Sequence, residues 1–177
     1  MSDTSGVNVR LRDGLGMVSV ATPRGGTAAL ARVVREQVGL ALPEPGCWVG
    51  DDALALLWCA PGQFLAVGDA VAVQRVAEAL REVALTIDLT GARVVVRVSG
   101  REVREVLGRV VPLDLHPRAM GPGRVAATLA AHIGVQIWQV DDAPSYDIAG
   151  PVSFASGLMR ALELAGAGVG GGSLAAR

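Results

Sequence analysis

Two histidines, His116 and His132, and two cysteines, Cys47 and Cys59, are the chain's whole stock of imidazole and thiol. A hydrolase triad needs a nucleophile on a strained turn beside a general base. No Gly-x-Ser-x-Gly occurs, and neither cysteine has a base next to it in sequence. A metal centre would have to combine His116 or His132 with Asp114, Asp141 or Asp142 from separate segments. Asp114 and His116 stand two apart and so share one face of an extended strand, but two ligands do not make a site, and a loop hydrogen bond explains them more simply. Asp141-Asp142 has the composition of a calcium or magnesium carboxylate pair and also that of a polar hairpin turn; the turn is the expectation. Gly121-Pro122-Gly123 and Gly170-Gly171-Gly172 do not match a dinucleotide-binding loop. A phosphate-binding loop with its lysine is impossible, because all 16 basic residues are arginine. The cysteines, with no Cys-x-x-Cys, are expected to be small core residues.

One stretch gathers more functional groups than the rest. From Pro112 to Arg124 the chain offers Asp114, His116, Arg118 and Arg124 on a backbone stiffened by Pro112, Pro117 and Pro122. Two guanidinium groups there have the geometry to hold a carboxylate through paired hydrogen bonds. Two readings stand side by side: a loop satisfied by its own ion pairs, and a docking surface for a partner, since rigidly held polar loops are where recognition concentrates.

Residue periodicity gives the elements that would carry this loop. Leu15 to Thr22 alternates Val18 and Val20 and reads as a strand ending at Pro23-Arg24-Gly25-Gly26. Thr27 is placed to cap a helix with Leu30, Val33, Val34 and Val38 on one face, stopped by Gly39. Cys47–Gly50, Ala53–Ala60 and Phe64–Val67, separated by Asp51-Asp52 and Pro61-Gly62, predict a three-stranded meander. Asp69 would cap a second helix with Val73, Val76, Ala77, Leu80 and Val83 inward. Strands follow at Thr86–Thr90, through Ile87 and Leu89, and at Arg93–Ser99. Ser99 and Glu102 have the spacing of a capping box before a helix carrying Val103, Val106, Leu107 and Val110. Residues 111–124 form a long loop, residues 125–131 a further segment, and Ile133–Val140 with Tyr146–Ile148 a hairpin across Asp141–Pro144. A helix over Ser153–Ala165 closes the pattern.

The organisation expected is a disordered tail at 1–6, one α+β domain at 7–165 built of two pseudo-repeated halves (about 7–90 and 91–165), and a flexible Gly-rich tail at 166–177. In each half a Trp (Trp58, Trp138) precedes a turn with Pro61 or Pro144, and an aromatic (Phe64, Tyr146) opens the returning strand. Such halves imply two ferredoxin-like α/β plaits. With 177 residues, 51% of them hydrophobic and 19% charged, the chain can bury a substantial core. Its net charge of −1 and 3% aromatic content argue against nucleic-acid binding. The longest apolar run, Ala53–Ala60, is eight residues, far short of the roughly 18 that a membrane span needs. The polar start lacks a secretory pattern, so the chain reads as cytoplasmic. Near-neutral charge with so much apolar content predicts poor solubility or self-association of the isolated chain.

The run Pro112–Ala130 (PLDLHPRAMGPGRVAATLA), preceded by TIDLTGARVVVRVSGREVREVLG and followed by IWQVDDAPSYDI, closely resembles the gamma subunit of heterotetrameric sarcosine oxidase. Leu57–Gly68 is similar to the family's Trp-x-x-Pro-x-x-Trp-Leu segment, with Phe64 where the second Trp usually stands. The resemblance covers about Leu56–Leu164. It departs after the strand Tyr146-Asp147-Ile148, where Ile148–Ser153 keeps only the Ser of a usual Arg-Ser pair. The resemblance implies a fold related to the folate-binding domain of glycine-cleavage aminomethyltransferase, and a complex with alpha, beta and delta subunits. That complex oxidises sarcosine to glycine, passes the one-carbon unit to tetrahydrofolate and reduces oxygen to peroxide. It further implies that FAD, covalent FMN, NAD and zinc belong to other subunits and that this chain holds no catalytic, cofactor-binding or metal residues. Alternatives are a stand-alone folate-binding aminomethyltransferase-like protein and an assembly subunit of another flavin-dependent amine dehydrogenase.

Overall fold

The computed structural model describes residues 6–167. Except for Gly6, Gly166 and Ala167, the two expected tails therefore lie outside the described residues. The first element is a strand that periodicity alone did not flag: β1 (Asn8–Arg12), whose two arginines look like solvent-facing residues in sequence. Tertiary contacts divide the chain into two units. The first comprises Asp13–Arg93 with Gly123–Ala126; the second comprises β1, Val94–Pro122 and the residues from Ala127 on.

In the first unit, β2 (Leu15–Ala21) leads to α1 (Thr27–Val33). That helix continues as a π turn over Val34–Val38 until Gly39, at φ 78°, ends it. The expected meander follows as β3 (Trp48–Gly50), β4 (Leu54–Ala60) and β5 (Gln63–Asp69). Then come α2 (Ala70–Leu80) and β6 (Leu85–Asp88). The sheet order is β3-β4-β5-β2-β6, and all four neighbouring pairs are antiparallel. One face carries Val18, Val20, Leu56, Phe64 and Ala66 against Val73, Val76 and Leu80 of α2 and Leu30 and Val34. Gly16 lets β2 run close under the start of α2, since a Cβ there would stand 2.9 Å from the Ala70 Cα. Met17, Ala55, Leu57, Leu65 and Val67 on the other face are buried as well. Burial on both faces accounts for the unbroken apolar run of β4, where a strand with one wet face would alternate.

The second unit builds β7 (Arg93–Ser99), α3 (Val103–Gly108), β8 (Val125–Ala130), β9 (Ile133–Asp141), β10 (Ser145–Pro151) and α4 (Ala155–Ala167). Its sheet order is β1-β7-β10-β9-β8. The same recipe has been used in each unit: strand, helix, three-strand meander, helix, and a closing strand laid beside the first. In the first unit β6 closes the sheet; in the second the closing strand is β1, drawn from the opposite end of the chain and antiparallel to β7 with Asn8 opposite Ser99. Val96, Val98, Ile137 and Ile148 of the strands and Val103, Val106, Leu107, Leu158 and Leu162 of the helices are all buried.

Several local expectations need correction. None of the proposed caps makes a side-chain hydrogen bond. Gly26, not Thr27, precedes α1, and Asp69 precedes α2 without bonding it. Ser99 is still in β7 paired with Asn8, which removes it from the capping box. Glu102 takes the position before α3 but lies against Gly6, where an added Cβ would sit 2.7 Å from its carboxylate. Ile87 is exposed on β6, because alternation gives a strand's period and not which face is covered. The last helix is preceded by a 3₁₀ turn at Val152–Phe154 and runs two residues past Ala165. The cysteines are only half-buried. Cys59 falls where the β4 register slips against β5, and Cys47 forms a bridge with Arg124.

The hairpin between β8 and β9 turns on Ala131 and His132, with φ of 48° and 68°. A two-residue turn with both centres left-handed favours Asn-Gly, because a Cβ is strained there. Replacing the pair by Asn-Gly is expected to stabilise the chain by about 1 kcal/mol, read as a rise in Tm by thermal denaturation.

Candidate functional site

Two polar networks flank β10, one on each face, through the adjacent residues Tyr146 and Asp147. Asp147 has no exposed surface. Arg97 of β7 donates to both of its oxygens, from Nε at 2.7 Å and Nη2 at 2.8 Å, and Arg12 of β1 donates from Nη1 at 2.7 Å. A charge removed from water is tolerable only when met by opposite charge and hydrogen bonds, and the paired Arg97 contact supplies both with fixed geometry. Trp138 is the cross-strand neighbour of Asp147 on that face and is buried too.

On the other face Tyr146 is opposite Gln139. Its hydroxyl donates to Gln139 Oε1 at 2.9 Å, receives Arg104 Nε–H at 3.1 Å and lies 3.4 Å from the Met120 carbonyl oxygen. Gln139 Nε2 donates in turn to the Asp141 carbonyl at 2.7 Å. Burial pushes the Tyr146 hydroxyl's pKa up, and the Arg104 contact opposes this. Through Met120 this network ties the long loop to the sheet.

Three buried side chains, Val111, Leu115 and Met120, anchor the loop. The Ala119 and Met120 N–H groups both donate to the His116 carbonyl. Between the anchors Asp114, His116 and Arg118 are exposed. The His116 N–H donates to Asp114 Oδ1 at 2.9 Å, and the Arg118 N–H donates to His116 Nδ1 at 3.2 Å. Nδ1 is thus an acceptor, which leaves Nε2 to carry the proton of the neutral ring. The loop is self-satisfied by side-chain to backbone hydrogen bonds, not by the ion pairs expected. Arg124 does not join the other three. It belongs to the first unit, where its Nη1 lies 3.5 Å from Cys47 Sγ and neighbouring backbone bonds link Trp48 to Gly123 and Val125 to Gly46. Asp141 ends β9 and Asp142 opens the hairpin turn, across which Asp141 Oδ1 accepts the Ser145 N–H at 3.1 Å. Among the described residues no group of three or more His, Cys, Asp or Glu is placed to hold a metal ion, and no helix is long and apolar enough to cross a membrane.

Sequence reading passed over Asp147 and its two arginines. The available signal was a carboxylate set in the alternation Tyr146-Asp147-Ile148 of a strand whose every other residue is apolar or small. Its partners lie 50 and 135 residues away in sequence, beyond any local pattern.

Residues 24–168 match the sarcosine oxidase, gamma subunit family. The chain is 37% identical over 127 residues to sarcosine oxidase subunit gamma of Corynebacterium sp. (strain P-1), covering 69% of this chain and 61% of that one. It is 36% identical over 129 residues to the Arthrobacter sp. protein of the same description, covering 68% and 60%. The matched region thus spans about three-fifths of the relatives' own length. Among solved structures it is similar to a chain of heterotetrameric sarcosine oxidase from Corynebacterium sp. U-96 in complex with pyrrole 2-carboxylate. There the TM-score is 0.84 at 28% identity, covering 98% of this chain and 90% of that one. The fold is also that of glycine cleavage system aminomethyltransferase T from Bartonella henselae, with a TM-score of 0.65 at 16% identity, covering 89% and 45%.

Asp147→Asn removes the whole negative charge and one of the two acceptor oxygens that Arg12 and Arg97 share, and is expected to cost about 3 to 5 kcal/mol, the range for breaking a buried pair. Arg12→Met should cost clearly less, because the two-bond Arg97 contact survives; chemical denaturation ranks the two. The Cys59 thiol pKa is pushed up to about 11 by burial, with Arg93 pulling the other way. Below pH 9 both the folded and unfolded thiols are protonated. Between pH 9 and 11 the unfolded chain loses its proton first, so this group's contribution to stability falls as pH rises. Cys59→Ala should therefore flatten the alkaline loss of Tm over that interval.

Proposed function

Since the chain belongs to the sarcosine oxidase gamma subunit family, we propose that it serves as the non-catalytic gamma subunit of a heterotetrameric sarcosine oxidase-like complex, joined to alpha, beta and delta subunits in the cytoplasm. In this reading the complex demethylates sarcosine oxidatively to glycine, with methylenetetrahydrofolate and peroxide as the other products. FAD, FMN, NAD, tetrahydrofolate and zinc are held by the partner subunits. The observation that carries the reading is the likeness, over 98% of this chain, to a chain of a heterotetrameric sarcosine oxidase. A second observation supports the non-catalytic part: the most deeply buried polar groups, Asp147 and Gln139, are engaged by neighbouring residues of the same unit. Each half is read as a ferredoxin-like plait enlarged by one meander strand, which the shared strand order supports.

Docking in this reading uses the exposed loop of Asp114, His116 and Arg118, with Arg124 as a separate contact. The Asp114 and His116 bonds hold the loop backbone, which leaves the Arg118 guanidinium available to a partner carboxylate. Arg118→Ala is expected to weaken retention of partner subunits by about 2 kcal/mol or more, read on a sizing column, with the Tm of the isolated chain unchanged. A large fall in Tm with assembly intact would defeat docking through this loop.

Affinity purification of the tagged chain from its native source, followed by mass spectrometry, is expected to recover three further subunits and a flavin spectrum. The isolated chain should bind no tetrahydrofolate by calorimetry. Low-micromolar binding by the isolated chain would favour the folate-binding alternative, and stoichiometric flavin in it would overturn the non-catalytic reading.

A further inference from the structure

We propose that the cleft beneath the β8–β9 turn is a docking socket for an uncharged, bulky apolar side chain of a partner subunit. The proposal rests on the gamma-subunit reading, which supplies the partner, and sets an apolar contact beside the polar loop of Asp114, His116 and Arg118. The cleft has a volume of about 520 Å³ and is lined by Val110, Val111, Pro112, Leu129, Ala131 and His132. Pro112 also opens the long loop, so cleft and loop form one continuous surface. Leu129 is 47% exposed at this surface. The one charged residue lining the cleft, Arg109, is already engaged: Nη2 donates to Glu105 at 3.0 Å and Nη1 to the Ala165 carbonyl at 3.1 Å.

At the turn the chain breaks a rule that it keeps elsewhere. Among the described residues nine glycines have a positive φ, and Ala131 and His132 are the only other residues that do. Both conformations are strained for a residue with a Cβ, and backbone strain of this kind concentrates at binding sites. The Ala131 N–H donates to the Val110 carbonyl at 2.9 Å, which fixes the turn beside Val110 as one wall of the cleft. Asn-Gly would relieve the strain, but it would put a polar amide and bare backbone where the Ala131 methyl and the His132 ring now form that wall.

Charge selects the occupant. No Asp, Glu or Arg occurs in the sixteen residues from Val125 to Val140, or from Ile148 to Met159, although charged residues make up 19% of the chain. The two-residue turn sets Leu129 opposite Gly134, and the register that pairs Ala149 with Gln136, continued by two residues, sets Pro151 opposite Gly134 as well. These three share one face of the sheet. Val152 and Phe154 follow in sequence, 47% and 54% exposed. The core of a protein interface is depleted of charge in this way. A charged occupant would lose its hydration against such a surface and gain no counter-ion. The gamma-subunit reading places unlike subunits, not a second copy, beside this chain.

The test is a pull-down from the native source in which the tagged full chain competes with untagged wild type for the partner subunits. Leu129→Glu sets a carboxylate at the mouth of the cleft. It should compete about tenfold or more less well, because anchor pockets carry most of an interface's affinity, with an unchanged melting curve. Ala131→Asn combined with His132→Gly should melt higher and yet compete less well, a pair of effects that a purely structural turn does not produce. Ile87→Glu, at an exposed apolar residue of the other sheet, should compete like wild type. Photoreactive benzoylphenylalanine in place of Leu129 should cross-link to a partner-subunit peptide centred on an apolar residue. A wild-type chain that captures partner subunits, while Leu129→Glu or the turn variant competes equally well, overturns the socket and leaves the gamma-subunit reading standing. So does an equal loss on Ile87→Glu, or a cross-link to a charged segment or to a second copy of this chain. A wild-type chain that captures no partner subunit overturns the gamma-subunit reading, and the socket with it.

Discussion

Asp147 carries a charge where no water reaches, and the second unit is arranged around meeting it. Two guanidinium groups converge on its carboxylate from two different strands, so β1, β7 and β10 share one electrostatic centre. The pairing does more than add a favourable term. A strand order in which β1 left its place would bury Asp147 with a single cation and strip Arg12 of its acceptor. Such half-satisfied alternatives are expensive. The ion triad therefore specifies which strand closes the sheet, a choice that the apolar residues Val9 and Leu11 leave open.

One residue earlier on the same strand, Tyr146 performs a different task on the other face. It joins Gln139 and Arg104 to the Met120 carbonyl and so fixes the end of a loop that has no regular structure of its own. Adjacent positions on a strand point to opposite sides, and β10 uses this to brace its sheet with one side chain and a surface loop with the next. The exposed groups at 114, 116 and 118 are displayed by a segment held at Val111, Leu115 and Met120 and pinned by Tyr146.

Much of the fold is legible because its signals are local. The meander from Trp48 to Asp69 is marked by Asp51-Asp52 and Pro61-Gly62, α2 by the spacing of Val73, Val76 and Leu80, and the last hairpin by Asp141–Pro144. The rigid loop is announced by its prolines. What stayed hidden depends on distant partners. Strand β1 carries no local signal, and its place in the sheet depends on Arg12 meeting Asp147, 135 residues away. Ser99 has the spacing of a cap, yet the ladder with Asn8 claims it first. Arg124 sits six residues from Arg118 in sequence and serves the other unit, which proximity along the chain does not disclose. Asp147 itself looks like any polar member of an alternating strand.

The borrowed closing strand has a consequence during synthesis. Strand β1 is made first, but its ladder partner β7 and its counter-ion on β10 come much later, whereas residues 13–93 bring with them every strand of their own sheet. At about 5 to 20 residues per second, roughly 7 to 27 s separate the emergence of Arg12 from that of Asp147. Throughout that interval β1 is a nascent strand with nothing of its own to join. Arg10 and the arginine that later clasps the buried carboxylate are, for those seconds, the charges that guard the segment against pairing with another strand. The charge that closes the finished sheet thus first guards the unfinished one.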